Sequence, residues 1–231
     1  MMNKIIIDKE NIIEIKDNAV ELNINVTNLT INIEGKVLIN EFRKLTNEDL
    51  DLTINLKEGS SLIYNRFMIN NNANVKVTIN QNNKSTASFN YSILANDYSK
   101  IDFTSNINGD NNYTNIIIRG VTENNGKLNI TSTAKTKDHI RDNDLLEDIK
   151  ILMLNNEESI IIPNLLVSSN EIEVNHAATI SGVPTDYLFY LNSKGISNKA
   201  SQKLIKNGYL IGNLNITENQ KEKLEQLLGG E

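Results

Sequence analysis

The 231-residue sequence predicts a mainly β body over 1–183 and a small α-helical tail over 184–231. Three observations carry this reading. From about residue 3 to residue 180, apolar residues alternate with polar ones, the period of a strand with one buried face. Asn, Gly and Asp clusters interrupt the alternation at intervals of roughly twenty to twenty-five residues. After Pro184 the apolar spacing changes to that of a helix.

Taken in order, "VELNINV" puts Val20, Leu22, Ile24 and Val26 on one face, and "LTINI" repeats the pattern with Leu29, Ile31 and Ile33. Leu52, Ile54 and Leu56 follow, then Val75, Val77 and Ile79, then Ile101 and Phe103, then Leu128 and Ile130. "EGK", "EGSS", "NNNAN" and "NGDNN" supply the turns between such runs. A sandwich of this length normally marks its hairpins with glycine, and this chain has only 11 Gly and 2 Pro. A parallel β-helix can turn its corners with asparagine, which tolerates left-handed backbone and stacks into ladders. The asparagine load therefore favours a solenoid, although a codon bias toward Asn, Ile and Lys accounts equally well for many of these residues.

Three helices are predicted in the tail. "TDYLFYLN" opens with Thr185 as N-cap and Asp186 in the first turn. "SNKASQKLIKNG" offers Ser197 as N-cap, Ala200 and Leu204 on one face, and Gly208 as the stop. "TENQKEKLEQLLGG" carries a capping box of Thr217 and Gln220 and a stripe of Leu224, Leu227 and Leu228. Tyr187, Leu188, Phe189 and Tyr190 are four consecutive large residues that cannot all face one core from a helix, so part of this run is expected to meet a protein partner.

Composition excludes several function classes. The 23 Lys+Arg are outnumbered by 29 Asp+Glu and are scattered, so no basic stripe forms for nucleic acid. No apolar run approaches the length of a membrane span, and "MMNKIIIDKE" lacks the apolar core of a signal peptide, which predicts a cytoplasmic protein. With no cysteine the chain has no disulfide, thiolate nucleophile or thiolate metal ligand of its own. It also has no Walker A pattern.

The stretch "NHAATISGVPTDYLFYLNSKGIS", followed by "ASQKLIKNGYL", resembles the C-terminal region of the SufB/SufD family of SUF-system iron-sulfur cluster assembly proteins. The matching residues are His176, Ala178, Thr179, Leu188, Phe189, Tyr190, Leu191, Ser193, Gly195, Ile196, Ala200, Gly208, Tyr209 and Leu210, with Pro163 and Leu165 upstream. The resemblance implies a right-handed parallel β-helix with a C-terminal helical domain. It implies a non-enzymatic scaffold, or scaffold companion, that pairs with a second SufB/SufD-type subunit as a homo- or heterodimer near His176. The helical domain would dock a SufC-like ATP-binding-cassette ATPase through Tyr187, Leu188, Phe189, Tyr190, Ser193, Lys194 and Gly195. No cofactor would be bound by this chain alone; a transient iron-sulfur cluster would be shared with the partner subunit. Ala177 follows His176 where the scaffold branch has glutamate, and Lys194 stands where arginine is usual.

An imidazole can ligate iron or relay a proton. One histidine cannot hold a cluster, so His176 would need help from Glu171, Glu173 or the second subunit. The other histidine, His139, lies in "KTKDHIRDND" and reads as a solvated surface residue. A polysaccharide-active enzyme on a β-helix is the alternative from the residues alone, with Asp138, Asp142, Asp144, Glu147 and Asp148 as candidate acids; such a run is more often a solvated loop. A purely structural solenoid is the third.

Overall fold

Strand follows strand for most of the chain. The computed structural model describes residues 2–9, 11–169 and 171–229. Within them run β1 (Asn3–Ile7), β2 (Ile12–Lys16), β3 (Ala19–Ile24), β4 (Asn28–Glu34), β5 (Lys36–Thr46), β6 (Asp49–Leu56), β7 (Ser61–Asn71) and β8 (Ala73–Gln81). They continue as β9 (Thr86–Ala95), β10 (Tyr98–Ile107), β11 (Tyr113–Thr122), β12 (Lys127–Thr136), β13 (Arg141–Met153), β14 (Ile160–Leu166) and β15 (Glu171–Gly182). The helices α1 (Thr185–Ser193), α2 (Asn198–Ile211) and α3 (Glu218–Gly229) complete the chain.

Odd-numbered strands form one eight-stranded sheet and even-numbered strands a seven-stranded one, each strand pairing in parallel with the strand two before and two after it. This is a parallel β-solenoid, because a sandwich would need antiparallel neighbours. The coils lengthen along the chain. Tyr64 pairs with Phe89, within the predicted interval, whereas Ile116 pairs with Glu147 and Glu147 with His176. Longer corners, such as residues 154–159 between β13 and β14, account for the added length.

The alternation seen in the sequence lines the lumen. Val20, Leu22, Leu29, Ile31, Leu52, Ile54, Val77, Ile79, Ile101, Phe103, Leu128 and Ile130 all belong to one continuous buried cluster. Phe89 sits at its centre, with the rings of Tyr64 and Phe103 at 5.0 and 5.1 Å. Asparagine turns the corners as expected: Asn47, Asn72, Asn111 and Asn124 have positive φ. On the outer surface Asn32, Asn55, Asn80 and Asn106 stack as a ladder, each amide donating to the one before at 2.8 to 2.9 Å. A second ladder joins Asn40, Asn65 and Asn90.

The tail packs on the outer face of the eight-stranded sheet. Leu210, Ile211, Leu214 and Leu224 form a second core with Phe67, Leu94, Val121 and Leu152. Ser92 Oγ donates to the Leu210 carbonyl, and Asn65 donates to Asn215 O while accepting from Asn215 N. These contacts carry α2 past its expected stop at Gly208 to Ile211, with Gly212 as C-cap, because Leu210 and Ile211 are buried against the sheet. Ser197 caps α2 as predicted, whereas α1 has Pro184 at its N-cap position and no side-chain cap. At α3, Gln220 reaches back to the Thr217 N–H at 3.0 Å, one half of a capping box; Leu224 is buried and Leu227 exposed.

Candidate functional site

The last coil of the solenoid is open. In β15 every residue from Asn175 to Gly182 is exposed, and Ile160, Ile162, Leu165 and Leu166 of β14 are exposed beside it. An uncovered sheet edge with apolar residues around it presents unpaired backbone groups to a partner.

Register defines what faces the lumen there. His176 pairs with Glu147, which pairs with the buried Ile116, so His176 continues the inward column one coil beyond the last enclosed one. On the opposite sheet Pro163 pairs with the buried Ser132. The open coil thus carries Pro163 and His176 directly over Ser132 and Glu147.

Glu147 is only 1% exposed, and its Oε1 accepts from Ser132 Oγ at 2.5 Å across the lumen. Its Oε2 is buried without a hydrogen-bond partner. Burial pushes the Glu147 carboxyl above its ordinary range, a rise that Ser132 and His176 oppose only in part. A carboxylate with a free, desolvated oxygen is an unfinished arrangement.

Glu171 and Glu173 do not join His176. Side chains alternate along a strand, so these odd-numbered residues project to the face opposite His176. Glu171 Oε2 lies 3.7 Å from Arg141 Nε, and Glu173 accepts from Asn175. The run of acids around β13 is dispersed as well. Asp138 and Asp142 occupy the exposed corner and start of the strand. Asp148 lies on the outer face, held by Arg119 at 2.5 Å and Lys150 at 3.1 Å; burial would raise its carboxyl, but these two cations keep it below the usual range. Only Glu147 turns inward. The expected solvated loop is therefore mostly a strand, and these five acids do not converge as an acid–base pair requires. His139 is exposed at a corner, as read from the sequence.

Helix α1 buries none of its residues. Tyr187, Phe189 and Tyr190 are 61%, 77% and 61% exposed, and Leu188 is half-buried. The helix ends in a Schellman motif: Gly195 N–H donates to Asn192 O and Ile196 N–H to Leu191 O, with Gly195 at φ 82°. Ser193 Oγ donates to Tyr190 O, and Lys194 Nζ stands 5.7 Å from the Tyr190 ring centre. Tyr187 to Gly195 form one exposed aromatic, cationic knob.

A family model described as the SUF system FeS cluster assembly SufBD core domain matches residues 51–209, covering most of the β body and the helices through α2. The chain belongs to the SufBD family. No curated protein matches it. As a SufBD core protein, the chain has a role in iron-sulfur cluster assembly. Among the described residues of this SufBD chain, no three His, Cys, Asp or Glu side chains gather into a metal site. No described helix is long and apolar enough to cross a membrane.

In the sequence, Glu147 sits within the charged run that reads as a solvated loop. The signal for it was its parity: Leu145, Glu147, Ile149 and Ile151 share one face, but the adjacent Leu146 and Asp148 obscure the alternation.

Proposed function

We propose that this SufBD chain is a non-enzymatic scaffold, or scaffold companion, that pairs with a second SufB/SufD-type subunit through the open coil and binds a SufC-type ATP-binding-cassette ATPase through α1. The observation that carries the reading is the uncovered last coil: a bare β15 edge, exposed isoleucines and leucines on β14, and His176 exposed at the open end of the inward column. Sheet edges of this kind are covered in working proteins, and a second solenoid end is a matching cover. The transient iron-sulfur cluster is the cargo, assembled at that seam and shared between subunits rather than held by one chain. ATP hydrolysis belongs to the ATPase, in a cytoplasmic complex.

The knob from Tyr187 to Gly195 supports the second contact, since aromatic residues at high exposure are typical interface anchors. Size-exclusion chromatography with light scattering tests both contacts. The protein alone is expected to elute as a pair. Mixed with the SufC-like ATPase of the same genome, it is expected to form a complex that Phe189→Asp abolishes without changing the melting temperature. A monomer that ignores the ATPase would defeat the reading.

A further inference from the structure

We propose that the lumen binds a resident halide-sized anion on the free edge of the Arg66 guanidinium. The inference stands apart from the pairing and the ATPase contact proposed above, which use the other end of the solenoid and α1.

Arg66, on β7, is fully enclosed. Its Nε lies 3.0 Å from Glu41 Oε2, but Nη1 and Nη2 have no hydrogen-bond partner among the described residues. A guanidinium stays charged and holds its N–H groups in a rigid planar fork, so two free amines in a dry interior are strong, fixed donors. The carboxylate beside it is shared. Tyr64 donates to Glu41 Oε2 at 2.7 Å, and Arg43 Nη1 lies 3.9 Å from Oε1. Tyr64 and Tyr91 add no charge of their own, because burial raises both hydroxyls, that of Tyr91 to about 12, and keeps them protonated. This stretch of lumen therefore sets two cations against one acid; the second acid, Glu48, meets Arg43 at 3.2 Å from an exposed corner.

The unpartnered buried atoms tell the same way. Arg66 Nη1 and Nη2, Arg43 Nη1 and Asn70 Nδ2 are donors, against only Glu41 Oε1 and Asn70 Oδ1 as acceptors. Water would answer donors and acceptors alike, whereas an excess of donors and of positive charge selects an anion. Size follows from the surroundings. Leu22 pairs with Glu41 on one side and Ile118 with Tyr91 on the other, both buried, so the polar patch is one enclosed site and not a passage along the lumen. The Tyr91 ring centre lies 5.0 Å from the guanidinium and 6.1 Å from the Phe89 ring centre. A monatomic ion suits such a close-packed enclosure better than a polyatomic one. Arg43, with 13% of its side chain exposed, is the member nearest solvent, so exchange is expected to need opening of the corner beside Glu48.

The test is urea unfolding and refolding of the whole chain at constant ionic strength in bromide, chloride or the bulky anion gluconate, with anomalous diffraction from crystals grown in bromide. The midpoint should climb with bromide and chloride concentration, as for a ligand that binds only the folded state, and not with gluconate. An anomalous peak should lie against Arg66 Nη1 or Nη2. Arg66→Lys keeps the charge but loses the fork, and should bind bromide at least about tenfold more weakly; Arg66→Met should abolish the halide dependence. Arg141→Gln removes an arginine whose side chain is 68% exposed, and should respond as wild type does, which accounts for general salt effects. An equal halide response in wild type and Arg66→Met overturns the site. So does bromide found at surface positions only, with water on Arg66. If Arg66→Met fails to fold, Arg66→Lys and the wild-type diffraction decide.

Discussion

Inside the solenoid Arg66 Nε lies 3.0 Å from Glu41 Oε2, and neither side chain has exposed surface. Tyr64 donates to the same oxygen at 2.7 Å, and the Arg66 guanidinium sits 5.0 Å from the Tyr91 ring centre. Burial works most strongly against the guanidinium charge, and Glu41, Tyr91 and Tyr64 together more than offset it, holding the group above its ordinary range. Removing Glu41 leaves the Arg66 charge uncompensated, and removing Arg66 leaves Glu41 with the more distant Arg43, 3.9 Å away. Glu41→Gln or Arg66→Met should each cost about 3–5 kcal/mol in urea unfolding, whereas the double change Glu41→Leu with Arg66→Met should cost much less than the sum.

Leu224 joins α3 to the sheet and is fully buried. Leu224→Ala should cost about 2–5 kcal/mol. Hydrogen exchange should show the loss first in α3 and the second half of α2, while β8 to β12 keep their protection.

Gly195 has no heavy atom within 4 Å of the position a Cβ would take, so space does not select glycine there. Its φ of 82° does. Gly195→Ala should cost about 1–2 kcal/mol, appearing as faster exchange in α1 rather than a lower global melting point, because α1 buries no side chain.

Glu34 is flanked by Lys16 and Lys57, whose hydrogen bonds and charges lower its carboxyl to about 2. A carboxyl depressed in the folded state favours folding above its unfolded value, 4.5, and loses that contribution as pH falls toward 2. Thermal melts between pH 5 and 2 should therefore drop more steeply for the native chain than for Glu34→Gln. The difference should shrink in high salt, since all three groups face solvent.

The narrow, N-terminal strands were legible because their outer faces are solvated and their inner faces are Leu, Ile or Val; β3, β4 and β6 follow the alternation residue by residue. In β7 and β9 the helical tail covers the outer face, so both faces are buried and the period of two fades from "SLIYNRFMINN". Gly208 failed as a helix stop for a similar reason: burial of Leu210 and Ile211 outweighs a local signal. His176 and the Tyr187 to Gly195 knob were visible as motifs. Glu147 was not, since its partner in register is 29 residues away and only the coil length, which no local pattern reveals, brings the two together.

Because β1 and β15 are the opposite edges of one sheet, the molecule is also a ruler. A strand spacing of about 4.8 Å separates those edges by roughly 34 Å, and two copies seamed at β15 would hold their β1 strands roughly 70 Å apart. The absence of native thiols lets a single Lys4→Cys, at an exposed site on β1, carry a spin label without competition. One dipolar distance in solution then distinguishes an end-to-end pair from any side-by-side arrangement.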